Sequence, residues 1–339
     1  MGKRWSSTFG RIRTGKRLPQ LLPKARFGTS ALSKTGRRRI FARGPRLLRQ
    51  ALITTAILLA LASTFGFGAG FVLTQFGLRW MPPWRGVAIS IPTSTLLFWC
   101  LAPFFVDPRD GNLRAVALFA CVGLFFPGTV ALLNFESNRL MGPNIAGALS
   151  STAPVFAIAL AIAILGEHIR GPQLLALAAI VVGIILIYRG QVSLSGRSRW
   201  LLALPVAASA IRGIIQPIIK FGFEWWPNPI AAVVVSYTVS SVVLIVSALE
   251  RAGGGIPTID RRGVLWFAAV GLCNGLSVLA MYGALEYGPV AIISPLIASY
   301  PLVTLLLSRL FLSKEDLRPQ LIAGVTATVS GVILLFVAK

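Results

Sequence analysis

From about residue 51 onward, windows of roughly 18 to 22 mostly uncharged residues recur at intervals of about 30, each long enough to cross a hydrocarbon layer about 30 Å thick. No other feature limits the fold so strongly. Ten windows fall near 52–76, 85–105, 114–133, 144–165, 172–188, 200–221, 229–248, 263–283, 290–311 and 319–337. Lipid offers unpaired backbone groups no partner, and these runs are too long and too uniformly apolar to be alternating barrel strands. The expectation is an all-α integral membrane protein with ten transmembrane helices. Trp80, Trp84, Trp200, Trp225 and Trp226 sit at or just beyond the expected helix ends, where an amphipathic ring prefers the headgroup layer; Trp99 and Trp266 do not. Cys100, Cys121 and Cys273 lie inside spans without ligand spacing and read as small apolar residues.

Charge is distributed unevenly. Residues 1–50 hold 15 of the 33 Lys and Arg and no acid; the remaining 18 cations against ten acids leave the rest of the chain at +8, out of +23 in total. The tail reads as a basic, disordered arm on anionic headgroups, as an organelle transit peptide, or as the trace of a start assigned too far upstream. Nucleic acid is not an expected partner, because the tail has few aromatics and no fold to present them. Arg43, Arg46 and Arg49 precede the first span and favour a cytoplasmic N-terminus, although the loops then placed outside carry eleven cations against five inside. The dense, unopposed tail decides the expectation: both termini in the cytoplasm, the inner membrane as location, and an organelle membrane as the alternative if the tail is a transit peptide.

Sliding the sequence against itself by about 147 residues reveals a repeat. "LFACVGL" from 118 meets "WFAAVGL" from 266, "GPNIAGALSSTAP" from Gly142 meets "GPVAIISPLIASYP" from Gly288, and "PQLLALAAIVVGIILI" from Pro172 meets "PQLIAGVTATVSGVILL" from Pro319. The first and sixth spans share "LLAL". A five-span unit is odd, so its second copy enters the membrane upside down. Two inverted five-helix repeats, at 51–190 and 198–339, are the architecture of secondary transporters, with a site between the halves near mid-membrane.

These features, with Pro154 and Pro301 in the fourth helix of each copy, the turns "ILGEHI" (164–169) and "FLSKEDL" (311–317), and a Pro-Gln opening each fifth helix, resemble EamA-type members of the drug/metabolite transporter superfamily. The resemblance covers about residues 52–338 and departs from the family only where "SKE" stands for the usual Gly before Glu315. It implies a ten-helix inner-membrane carrier or exporter with cytoplasmic termini and a cavity lined by both halves.

Within the sixth span, "VAASAIRGIIQPIIK" places a cation in the middle of an apolar run. Insertion scales charge Arg at that depth roughly 2.5–3.5 kcal/mol, unless it faces water or a partner. Ser209, Arg212, Gln216 and Lys220 fall within about 80° of one another on a helix, so their face looks into a cavity or onto a polar neighbour. Arg212 is then an anion clamp or a structural donor to another helix, while Lys220, near the end, snorkels to the interface. All ten acids lie in loops or at helix ends, which argues against organic-cation exchange and for an anionic, zwitterionic or neutral solute. Asn274, Ser277 and Tyr282, with Asn134 as the repeat counterpart of Tyr282, line the wall or bond between helices. Ser150, Ser151, Thr152, Ser299 and Tyr300 precede Pro154 and Pro301, which can bend or open their helices for gating. Gly66 and Gly70 form a close-packing face, and Gln75 is a candidate for the cavity mouth. The candidate cavity set is Arg212, Gln216, Ser209, Asn274, Ser277, Tyr282, Tyr300 and Ser151. His168 stands alone in a loop, and neither a P-loop nor a paired intramembrane aspartate occurs, so no catalytic residue, metal or cofactor is expected. The expected function is secondary transport, in the export direction, of a small molecule by alternating access. A lipid-modifying membrane enzyme, a channel and a membrane-anchored scaffold are the rivals, and a homodimer stays open.

Overall fold

The computed structural model describes residues 46–167, 199–251 and 260–312, with scattered residues of 171–186 and 319–334. The tail before residue 46, His168, Glu315 and most of the expected fifth and tenth spans, 172–188 and 319–337, lie outside the described residues. Among those described there is no strand. The helices are α1 Arg46–Gly77, α2 Pro83–Phe105, α3 Leu113–Phe125, α4 Gly128–Met141, α5 Pro143–Ser150, α6 Ala153–Leu165, α7 Ala203–Gly222, α8 Pro229–Arg251, α9 Arg261–Tyr287, α10 Val290–Ile297 and α11 Tyr300–Phe311. They make eight segments long and apolar enough to cross a membrane, with α3–α4, α5–α6 and α10–α11 each forming one crossing in two pieces.

Local chemistry sets these boundaries. Asn112 and Asp260 accept from the amides of Arg114 and Arg262 to cap α3 and α9, and Asn228 accepts from the amides of Ile230 and Ala231 to cap α8. Proline occupies one of the first two positions of α2, α5, α6 and α11, where its missing N–H costs nothing. Gly166, at φ 62°, closes α6 in the left-handed conformation. The third crossing runs to Met141 rather than ending near 133, because Glu136 and Arg139 pair one turn apart and let the helix continue through charged sequence.

Corresponding helices of the two copies run antiparallel. On α2 and α8, Thr95 donates to the Tyr237 carbonyl at 3.1 Å, while Asn228 donates to that of Phe105 at 2.8 Å. Between the third crossings, Phe135 meets Phe267 at 5.5 Å and Phe126 meets Tyr282 at 6.5 Å. In the fourth, Ser308 donates to Asn144 at 3.1 Å, and Gly147 faces Thr304 and Tyr300. Lipid tails are as apolar as leucine, so close packing and interhelical hydrogen bonds hold such a bundle, each bond contributing about 0.6–2 kcal/mol. Glycine allows the closest approaches: a Cβ on Gly271 would stand 2.3 Å from the Ser90 carbonyl oxygen, and one on Gly123 would stand 2.5 Å from that of Ser236. Leu96, Phe104, Leu113 and Leu310 are among the large apolar side chains left on the outside, facing acyl chains.

Candidate functional site

Between the halves lies a cavity with about 550 Å3 of space free of protein atoms, part of it open to solvent. Its wall is drawn from α1, α2, α4, α7, α8 and α9, hence from both copies. It occupies the half of the bundle toward Gly77, Pro83, Met141 and Arg261. The opposite end is closed by packing: Phe98 against Tyr237 at 4.8 Å, Phe119 against Phe223 at 6.1 Å, and buried Ile219, Leu285 and Trp226. On the cavity's side of the bundle Arg79, Arg139, Arg261 and Arg262 stand exposed on the helix ends, against Glu136 and Asp260. That end is therefore electropositive.

Arg212 sits at the inner limit of the cavity, halfway along α7, and is 5% exposed. Its Nε and Nη1 have no hydrogen-bond partner. Its guanidinium carbon lies 4.8 Å from the ring centre of Phe67 and 5.8 Å from that of Tyr300, so aromatic faces supply part of its support. Arg139 pairs with Glu136, and among the described residues no carboxylate meets Arg212. An unpaired, desolvated guanidinium is costly in a finished core and useful in a site awaiting an anion.

The other wall groups divide cleanly. The hydroxyls of Thr74 and Ser94 donate to the carbonyls of Gly70 and Gly271 at 2.7 and 2.6 Å, and Asn134 accepts from Ser150 at 2.8 Å. Asn138 donates to the Phe71 carbonyl at 2.7 Å, but its Oδ1 has no partner. Phe67, Phe71, Phe126, Phe135 and Tyr237 supply its aromatic part.

Of the candidate cavity set, Arg212 and Asn274 line the cavity, with Asn274 set against Gly70; Asn134 and Gly70, also singled out from sequence, line it too. Tyr300 lies behind the wall, stacked on Phe71 at 5.5 Å, its hydroxyl beside Arg212 and Ser150 outside hydrogen-bonding geometry. Gln216 is buried one turn past Arg212 with Oε1 unpartnered. Ser209 bonds to Thr152, Ser151 to the carbonyl of Ala148 and Ser277 to that of Cys273, with Ser277 packed on Gly66. Tyr282 is fully buried between Phe126 and Phe223. Pro154 and Pro301 are the second residues of α6 and α11; the breaks fall just before them, at Ser151–Thr152 and Ala298–Ser299. Gln75 is half-buried, with Oε1 unpartnered.

Lys220 corrects its sequence reading. It does not snorkel: its ammonium turns inward and donates to the carbonyls of Leu285 at 3.0 Å and Gly288, at the C-terminus of α9. The helix end supplies partial negative charge that the interface would otherwise provide. Glu167, from the end of α6, accepts from the amides of Val290 and Ala291 at 2.9 Å each, at the N-terminus of α10. Sequence reasoning missed both contacts, and missed Asn138, Ser90, Ser94 and the aromatic wall. Asn138 carried a readable signal, four residues after Asn134 on one helix face, hidden by the charges of Glu136 and Arg139 between them.

No curated protein matches the chain. A solved crystal structure of a protein superimposes with a TM-score of 0.65 at 14% identity, covering 84% of this chain and 99% of that one, a likeness of fold. A family model, described as the EamA-like transporter family, matches twice in succession, at residues 54–189 and 199–337. The duplicated match covers most of the chain, and the chain belongs to the EamA-like transporter family of multi-pass membrane proteins.

Proposed function

We propose that this protein is a secondary transporter that exports a small anionic, zwitterionic or neutral metabolite by alternating access, without ATP. The observation that carries the reading is the unpartnered guanidinium of Arg212 at the inner limit of a cavity built by both copies. Antiparallel corresponding helices support two inverted five-helix halves, whose exchange of conformation would move the opening from one membrane face to the other. In this reading the termini are cytoplasmic in the inner membrane, the N-terminal tail rests on anionic headgroups, and the cavity opens to the far side.

A panel of metabolites offered to proteoliposomes tests it, with Arg212→Leu as the comparison. The expected outcome is gradient-driven flux of one solute class, with apparent affinity reduced roughly 10- to 100-fold in the variant, the loss of a charged hydrogen bond. Unchanged affinity in a folded variant removes the clamp, and no flux across the panel removes transport. A reporter active only in the cytoplasm, fused to Lys339, reads the orientation.

A further inference from the structure

We infer, resting on the transport reading, that the cavity takes an aromatic carboxylate bearing a neutral hydrogen-bond donor, a hydroxyl or ring N–H, and rejects the amino-acid zwitterion. Two unpartnered polar groups line the same pocket, both more than nine-tenths buried: Arg212 offers donors and positive charge, and Asn138 offers an acceptor. The polarity of Asn138 is fixed by its surroundings. Its Nδ2 is committed to the Phe71 carbonyl, so Oδ1 is the atom left over, and only a donor satisfies it. Five aromatic rings form the wall between and around these groups, suiting a flat apolar body. Among the described residues no acid lines the cavity, and one cation is already present, so an ammonium group would enter without a counter-charge and beside a like charge. A hydroxyl meets the amide oxygen without that penalty.

Ligand-induced thermal stabilisation of the purified full-length protein, with no gradient, tests the inference using 3- and 4-hydroxybenzoate, benzoate, phenol and tyrosine. At least one hydroxybenzoate is expected to bind about tenfold more tightly than benzoate, the worth of one hydrogen bond, with phenol and tyrosine weaker still. Asn138→Leu, or Asn138→Ala if the first does not fold, removes the advantage of hydroxybenzoate over benzoate and leaves benzoate binding in place. Arg212→Gln weakens both acids. Tighter binding of tyrosine than of either hydroxybenzoate overturns the inference, as does an Asn138 variant that keeps the full difference. Binding of these acids without flux sinks transport alone, and flux of another solute class without their binding sinks this inference alone.

A separate group of contacts carries a second inference: the structure assigns the closed end a gate clasped by Glu167 and Lys220. One charge comes from each copy, and both grip the turn between α9 and α10, Lys220 at the carbonyl end of one helix and Glu167 at the amide end of the next. Between this clasp and Arg212 lies a layer of buried polar atoms without partners, Ser63 Oγ, Gln216 Oε1 and Ser294 Oγ. A Cβ on Gly288 would meet that of Ala56 at 3.1 Å, and Thr64 donates to the Leu296 carbonyl at 3.0 Å, which sets Ser63 and Ser294 at that depth. Native cores pair such atoms; these wait for the water that enters when the clasp opens.

The test is the reaction rate of Ser294→Cys with a charged methanethiosulfonate, in full-length protein whose Cys100, Cys121 and Cys273 are alanine. Glu167→Gln, and independently Lys220→Met, are expected to raise that rate at least about tenfold, the effect of one lost hydrogen bond on the opening equilibrium. Ala232→Cys, fully buried on α8 against α2 and α3, stays unreactive. An unchanged rate in both variants overturns the gate, and so does an equal rise at Ala232→Cys, which means general loosening. The readout needs no solute, so it stands apart from any flux measurement.

Discussion

The third crossings of the two copies match and then part. "VGL" stands at 122–124 in one and at 270–272 in the other, and in both the glycine presses on a serine carbonyl of the opposite copy, Gly123 on Ser236 and Gly271 on Ser90. Three and four residues further on, the first copy reads Phe126–Pro127 and the helix stops, to restart as α4; the second reads Asn274–Gly275 and α9 runs on unbroken to Tyr287. Pro127 and Asn274 both line the cavity. One wall is thus a hinge with a freed amide, the other a rigid rod presenting a polar side chain. Proline cannot donate in the helix ladder, and the break leaves the amide of Gly128 to find a partner, which Ser240 supplies at 2.9 Å. Its counterpart on α2, Ser94, donates to the Gly271 carbonyl at 2.6 Å, within an intact helix. Duplication supplied the same scaffold twice, and one substitution made the halves mechanically unequal.

That contrast can be broken or sharpened by substitution. The largest effect is expected at the paired glycines. Gly271→Val and Gly123→Val each drive a side chain into backbone that cannot move aside, costing about 3 kcal/mol each, so a marked loss of thermal stability in one and not the other would break the symmetry of the scaffold. Ser240→Ala comes next: it strands the Gly128 amide in the interior and should cost about 2 kcal/mol, with faster hydrogen exchange at that amide. Ser94→Ala should cost least, about 0.6 kcal/mol, since the carbonyl it releases belongs to an unbroken helix. Equal losses at Ser240 and Ser94 would mean that the break places no special demand on its neighbour.

Legibility followed the physics of each signal. Span length, repeat register and the buried face of α7 are periodic properties, so eight of the ten expected crossings, those among the described residues, together with antiparallel pairing and Arg212 at a cavity, could be read from the chain. Phe67, Phe71 and Phe135 could not be separated from Phe104 or Phe125, because a phenyl ring suits a cavity wall and an acyl chain equally well. Lys220 was misjudged because its partners are carbonyls, which every residue carries and no sequence pattern marks. Asn138 was hidden by a local salt bridge that let a helix outrun its apolar limit.

The uncompensated guanidinium also gives the protein an electrical character. On the proposed alternating-access reading, the vacant core would carry one elementary charge through each swing between the faces, and with a monoanion aboard it would carry none. A membrane voltage would then act on the unloaded return stroke alone, with up to about 2.3 kcal/mol per 100 mV for a charge crossing the whole field. On that reading voltage would join the solute's own concentration gradient in setting the direction of net flux.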